Sequence, residues 1–102
     1  MAQREARLSR RIMTELRARG YFCFKVHGSE FMMAGLPDII VCANGLFIGL
    51  EVKHPETRDD VSPRQSLVHE QIKNSGGTAE VVCTVDEALL AIDAAIVDAG
   101  LF

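Results

Sequence analysis

Two carboxylates and one amine are placed by the sequence at the same end of a predicted β-hairpin. Asn44-Gly45 lies between two apolar runs, and Asn-Gly is the strongest short-range signal for a two-residue type I′ turn. If the strands pair about this turn, Asp38 and Glu51 stand directly opposite each other, with Cβ atoms about 4.5–5.5 Å apart. Lys53 lies on the same face as Glu51, because the side chains of a strand alternate between its two faces.

This arrangement predicts a site for a divalent cation. Two opposed carboxylates repel each other, and one of them is driven toward its protonated form unless a cation offsets the charge. Mg²⁺ binds one or two carboxylates together with water and phosphate oxygens, and a neighbouring lysine can act on a water molecule or neutralise charge on a phosphate. Two alternatives stay open: an Asp–Lys–Glu ion-pair cluster that only stabilises the hairpin, and another register that leaves these groups on solvated strand ends.

The first half of the chain is predicted to form one helix and three strands. Apolar residues at every fourth position, followed by a glycine, predict a helix over residues 4–19. The aromatic and β-branched residues 21–27 predict a strand. After a loop over residues 28–35, two apolar strands over 39–42 and 46–53 form the hairpin.

The second half is predicted to alternate helix and strand. Ser62 is the expected N-cap of a second helix that ends at Gly76-Gly77, and residues 79–83 form a strand. A capping box, Thr84 to Glu87, opens a last helix that ends at Gly100. The order is therefore αβββαβα, and the strand–helix–strand passage predicts a right-handed parallel crossover within a mixed sheet covered by helices.

The composition fits one α/β domain over residues 1–102. The chain is 48% hydrophobic and 25% charged, and this length supports a single core. No apolar run approaches the roughly 18 residues that cross a bilayer, and no apolar signal region follows the basic N-terminus. We therefore expect a cytoplasmic protein that does not associate with membranes. The three cysteines lie singly and far apart, which predicts small buried thiols rather than a disulfide framework or zinc site.

Charge is unevenly distributed along the chain. Residues 1–27 contain seven basic and two acidic residues, whereas residues 28–102 contain four basic and twelve acidic ones. Such asymmetry can mark a nucleic-acid-binding face, but on charge alone a helix whose arginines are simply solvated is the favoured interpretation.

The site motifs resemble those of a known nuclease family. Gly35-Leu36-Pro37-Asp38, followed by Glu51-Val52-Lys53, is similar to the PD-(D/E)xK nuclease signature. The fuller run, with Ser62-Pro63-x-Gln65 and Gly76-Gly77 before a strand, resembles the VRR-Nuc branch of that superfamily and extends from Glu5 to the last helix. The resemblance implies a restriction-endonuclease-like αβββαβ core with a mixed sheet, here with an additional C-terminal helix. It also implies a Mg²⁺- or Mn²⁺-dependent DNA endonuclease.

The resemblance also implies roles for individual residues. Asp38 and Glu51 match the metal-binding acids, the carbonyl of Val52 is a further ligand, and Lys53 matches the catalytic lysine. Gln65 matches a glutamine beside the active site. It also completes a capping box with its N-cap serine, and the two roles compete or coexist.

The family has a glutamate on its first helix, for which this chain offers Glu5 and Glu15. Glu5 falls within the apolar stripe of the helix and Glu15 on its edge, so we choose Glu5. The alternative role for Glu5 is stabilisation of the helix dipole.

The expected substrate is branched DNA, such as a Holliday junction. Arg4, Arg7 and Arg11 are the predicted DNA-binding residues, since arginine contacts to phosphate position DNA without reading its sequence. No recognition helix or nucleotide-pocket motif is apparent. A chain this short that ends in apolar Leu101-Phe102 is expected to form a homodimer. Alternatives are a non-catalytic DNA-binding or assembly module with the nuclease fold, and a hydrolase of another phosphodiester.

Overall fold

The predicted element order is confirmed. The computed structural model describes residues 3–101. The elements in chain order are α1 (Gln3–Ala18), β1 (Phe22–Lys25), β2 (Ile39–Ala43), β3 (Leu46–Val52), a short 3₁₀ turn (Pro55–Thr57), α2 (Pro63–Asn74), β4 (Thr78–Val82) and α3 (Val85–Asp98). Only the 3₁₀ turn was not predicted.

The four strands form one mixed sheet in the order β1-β2-β3-β4. The first three strands are antiparallel and β4 is parallel to β3. Asn44 and Gly45 have φ values of 51° and 81°, as a type I′ turn requires. The hairpin register is the predicted one, running from the pair Ala43–Leu46 to the pair Ile39–Leu50.

Helices cover both faces of the sheet. On one face, α1 and α3 bury the main core, whose fully buried side chains include Ile12, Leu16, Ile39, Ile48, Leu50 and Ile92. The alternate residues of β3 face α2, because a Cβ on Gly49 would lie 3.7 Å from Ile72 of that helix. The acids at the end of the hairpin therefore lie beside α2.

Two details differ from the sequence predictions. Thr84 caps α3 by accepting the Glu87 N–H, but the Glu87 carboxylate accepts the Cys83 N–H and pairs with Arg58 at 2.7 Å, so the predicted capping box is only half formed. Of the three cysteines, Cys42 is exposed rather than buried, because α2 does not cover its end of the sheet.

None of the helices in residues 3–101 is long and apolar enough to span a membrane.

Candidate active site

Asp38 is fixed between the ends of β1 and β3. Its backbone carbonyl accepts the Val26 N–H at 2.8 Å, and its Oδ2 accepts the Val52 N–H at 2.8 Å. Its Oδ1 lies 3.7 Å from Lys25 Nζ. The side chain of Asp38 thus continues the pairing with β3 beyond the last backbone pair, Ile39–Leu50, and its carboxyl group contacts that of Glu51.

The Gly-x-Pro segment before Asp38 is closely packed on both sides. A Cβ on Gly35, which has a φ of +85°, would lie 2.8 Å from the carbonyl oxygen of Arg64 at the start of α2. Pro37 is fully buried, and a Cβ on Gly49 would lie 2.5 Å from its Cγ. These contacts connect the position of Asp38 to both β3 and α2.

Glu51 is the buried acid of the site, with 2% of its surface exposed. Burial, then the Asp38 charge and a hydrogen bond with Asp38, raise the pKa of Glu51 to about 8, against the opposing charges of Lys53 and Lys25. The predicted proximity of the two carboxyl groups is therefore present. Within the described chain, Glu51 Oε1 has no hydrogen-bond partner.

Gln65 makes both a capping-box contact and a contact with Glu51. Its Oε1 accepts the Ser62 N–H at 2.9 Å, and Ser62 Oγ accepts the Gln65 N–H, which completes the capping box. Since a backbone N–H can only donate, Gln65 Nε2 must face the other way. It donates to Glu51 Oε2 at 3.3 Å, so the helix cap and the site contact coexist.

The alternative prediction was an ion-pair cluster of Asp38, Lys53 and Glu51, but the lysine that pairs with Asp38 is Lys25. Asp38 pairs with Lys25, whereas Lys53 forms no ion pair among residues 3–101. The charge of Lys53 nevertheless lowers the pKa of Glu51, so its ammonium group lies near the acids. Lys53 is therefore available to act on a third molecule.

His69 was missed by the sequence analysis. Only 7% of it is exposed, and its Nε2 lies 3.6 Å from Glu51 Oε1. Burial, and secondarily the charge of Lys73, lower the pKa of His69. Its position four residues after Gln65, on the same helical face, was the available signal.

The donor atoms fit a hard divalent cation. Two carboxyl groups converge, one of them with an unpartnered buried oxygen. The Val52 N–H points at Asp38. Because the N–H and the C=O of one residue in an extended strand point to the same side of the strand, the Val52 carbonyl also points toward Asp38. Oxygen donors of this kind suit Mg²⁺ and Mn²⁺. Among residues 3–101 there is no cluster of three or more His, Cys, Asp or Glu side chains that could hold a metal. The Val52 carbonyl as a further donor stays a prediction.

The structure places Glu5 in the first turn of α1, half-buried, and Glu15 in an exposed position farther along. Arg4 Nη1 donates to His54 Nε2 at 3.1 Å, which brings this first turn beside the segment that follows Lys53. In the described chain, Glu5 itself makes no hydrogen bond or ion pair with the acids or Lys53. The choice of Glu5 over Glu15 stays a prediction.

The predicted DNA-binding arginines do not lie together. Arg7 and Arg11 line an open groove of about 600 Å³ with Arg10, Glu15 and Asp86. Arg4 is outside this groove and lies 3.9 Å from Glu56. The groove joins α1 to the start of α3, on the sheet face opposite to α2.

Comparison with known proteins supports the fold. No protein-family profile matches the chain, and no curated protein is found as a relative. Among solved structures, the chain is similar to one described as a VRR_NUC domain, with a TM-score of 0.72 and 26% identity over 90% of this chain and 97% of that one.

The chain has a VRR-Nuc-like fold.

A second solved structure extends the likeness to resolvases. Archaeoglobus fulgidus Hjc, a Holliday junction resolvase from an archaeal hyperthermophile, matches with a TM-score of 0.53 and 18% identity, over 78% of this chain and 67% of that one. At this identity the match supports the fold alone. The predicted resemblance to VRR-Nuc and PD-(D/E)xK nucleases is therefore confirmed at the level of fold.

Proposed function

We propose that this VRR-Nuc-like chain is a Mg²⁺- or Mn²⁺-dependent endonuclease that hydrolyses phosphodiester bonds in branched DNA. The observation that carries the proposal is the contact between the Asp38 and Glu51 carboxyl groups, with an unpaired lysine ammonium beside them. A purely structural cluster would use that lysine to neutralise the acids, whereas here Lys25 pairs with Asp38.

The residues of the site divide the chemistry among them. Asp38, Glu51 and the Val52 carbonyl would hold the cation, which when bound polarises a phosphoryl oxygen and offsets its charge. The Lys53 ammonium group orients the attacking water, or neutralises the charge that develops on the phosphate. Gln65 fixes the orientation of the Glu51 carboxylate through the 3.3 Å contact.

Branched DNA is the proposed substrate because residues 3–101 carry arginines on α1, and the elements they form include no added recognition helix. Arginine–phosphate contacts hold DNA without reading its sequence, so selectivity must come from DNA shape. One fold neighbour is itself a Holliday junction resolvase. The test is to incubate purified protein with Mg²⁺ or Mn²⁺ and linear, flapped and four-way DNA. Cleavage of branched forms supports the proposal, whereas binding without cleavage supports a non-catalytic module.

Asp38→Asn is the matched inactive variant for this test. We expect it to abolish cleavage and to leave the fold intact, because an asparagine oxygen can still accept the Val52 N–H. Removing the charge beside Glu51 also relieves the repulsion that raises its pKa, so stability without metal should be unchanged or higher near pH 8, where Glu51 ionises. Cleavage at the parental rate would contradict the metal-site assignment.

We also propose that two copies act together as a homodimer. The side chains of Phe22 and Phe24 on β1 are exposed, and so is the neighbouring Cys42. All three lie on the α2 side of the sheet, on the part that α2 does not cover. Exposed apolar patches of this kind mark interaction sites. Leu101 is exposed and its carbonyl accepts from Asn44 Nδ2 at 3.5 Å, while Phe102 lies outside the described residues. Sedimentation should give a dimer that Phe22→Ser with Phe24→Ser dissociates; a parental monomer would contradict the proposal.

A further inference from the structure

Two buried polar atoms face each other beside the site without hydrogen-bond partners in residues 3–101. They are Glu51 Oε1 and His69 Nε2, and 3.6 Å separates them. The two residues are 2% and 7% exposed, so bulk solvent does not reach either atom. A buried polar group that lacks a hydrogen-bond partner destabilises the folded protein, so this arrangement needs a functional reason.

The helix α2 presents one nitrogen to each oxygen of Glu51. Gln65 and His69 are four residues apart and therefore lie on one face of the helix, one turn from each other. Gln65 Nε2 already donates to Glu51 Oε2, and His69 Nε2 stands opposite Oε1. Because each carboxylate oxygen has two lone pairs, a donor from α2 on each oxygen leaves lone pairs for a cation.

We infer that His69 is a positioning residue: its Nε2–H donates to Glu51 Oε1 and holds the Glu51 side chain in the orientation in which it binds the cation. The 3.6 Å separation is about 0.6 Å longer than an ordinary N–H···O hydrogen bond, so a small side-chain shift closes it. Together, Gln65 and His69 hold Glu51 in one orientation. The inference rests on the proposed function, since it takes Glu51 as a metal ligand.

The test is the Mn²⁺ affinity of the protein alone, measured by calorimetry without DNA. His69→Leu keeps the bulk of the side chain but removes the donor, and we expect it to weaken Mn²⁺ binding by about 10–100-fold, as loss of such outer contacts does. His69→Gln retains an N–H donor and should recover most of the affinity. Glu70→Gln, at an exposed position on the same helix, is the control and should bind Mn²⁺ like the parent.

The outcomes separate this inference from the proposed function. Parental affinity in His69→Leu, or equal losses in His69→Leu and His69→Gln, would overturn the role of His69 while the parent still binds Mn²⁺. A parent that binds no Mn²⁺ would overturn the proposed metal site and this inference with it.

A measurement on the parent covers the case in which His69→Leu does not fold. The Nε2–H proton of His69 is followed by NMR of ¹⁵N-labelled protein as Mg²⁺ is added. Formation of the hydrogen bond should move this signal downfield and slow its exchange with water. A signal that Mg²⁺ binding leaves unchanged would overturn the inference.

Discussion

The Asp38–Glu51 pair makes the stability of the metal-free protein depend on pH. Burial, followed by the Asp38 charge, raises the pKa of Glu51 from 4.5 to about 8. Between these values the folded chain keeps a proton that the unfolded chain releases. The free energy of unfolding therefore falls as pH rises from about 4.5 to about 8, by on the order of a few kcal/mol in total. Because the two acids are coupled, this proton belongs to the pair.

Denaturant unfolding in the presence of a chelator, repeated across this pH range, measures the effect. Glu51→Gln is the matched variant, since it is neutral at every pH and can accept the same contacts. In Glu51→Gln, the free energy of unfolding should fall much less as pH rises. This variant should therefore be more stable than the parent at the alkaline end of the pH range. Parallel stability curves for the two proteins would show that Glu51 does not keep its proton on folding.

Lys53 is expected to contribute to the reaction rather than to the fold. It forms no ion pair within residues 3–101, and in the proposed function the acids, not Lys53, bind the metal. Lys53→Ala should bind Mn²⁺ with near-parental affinity and lower the cleavage rate by about a hundredfold or more. Lys73→Ala, which removes an exposed lysine paired with Glu70 on α2, is the control. If calorimetry shows that Lys53→Ala loses Mn²⁺ binding, Lys53 instead holds the hairpin end together.

At the scale of elements, the contact between β3 and the segment before Asp38 positions the site. Alanine at Gly49 would place a Cβ 2.5 Å from Cγ and 3.0 Å from Cβ of Pro37, and a rigid buried ring cannot swing aside. We expect Gly49→Ala to cost about 1–3 kcal/mol of stability, as overpacking does. Because Pro37 directly precedes Asp38, the cleavage rate under fully folded conditions should fall as well.

Gly28→Ala is the control for this prediction, since a Cβ at Gly28 would meet no atom within 4 Å. Denaturant unfolding and single-turnover cleavage of both variants measure the two effects. Gly49→Ala with parental stability and rate would show that the Pro37 contact does not position Asp38.

The hairpin shows how far local sequence determines the site. Asn44-Gly45 fixes a turn whose register follows by counting, so the convergence of Asp38, Glu51 and Lys53 could be predicted from the sequence. Counting stops at Ile39, where the ladder ends and the Asp38 side chain accepts the Val52 N–H instead.

The missed residues depend on contacts that local sequence does not specify. Lys25 reaches Asp38 only because β1 pairs with β2, and His69 reaches Glu51 only because α2 packs on one particular sheet face. Cys42 was assigned to the core because its strand is apolar. The alternation of side chains along each strand predicts which residues share a face of the sheet, but it does not predict how much of the second face α2 covers.

At the scale of the whole molecule, the sheet separates the acids from most of the positive charge. The acids face α2, whereas the arginine groove lies between α1 and α3 on the opposite face. Arg4, which contacts His54, lies at the end of α1 that is nearest the site. At 1.5 Å per residue, Arg11 lies about 10 Å farther along the helix. A DNA duplex is long enough to contact both this helix and the site at the end of β3.

This distribution predicts a salt-dependent DNA affinity that depends on α1. Seven of the eleven basic residues lie in residues 1–27, and each duplex phosphate neutralised contributes about −0.9 to the slope of log K against log salt. Replacing Arg7 and Arg11 with glutamine should weaken binding to all sequences alike and flatten the slope by about one unit per lost contact. Arg17, whose guanidinium donates to the Cys23 carbonyl at 3.1 Å, should contribute less.

The measurement is a salt titration of DNA binding in the presence of Ca²⁺, which occupies oxygen-ligand sites. The same titration with Asp38→Asn, which we expect to be inactive, checks that cleavage does not affect the result. Lys73→Gln is the control for loss of a positive charge elsewhere, because it removes one such charge at the far end of α2, where the lysine already pairs with Glu70 at 3.6 Å. Its slope should equal that of the parent. If the Arg7 and Arg11 variant also keeps the parental slope, the arginines of α1 are a solvated face. DNA would then approach the acids from the α2 side, where Lys25 and Lys53 supply the nearby positive charge.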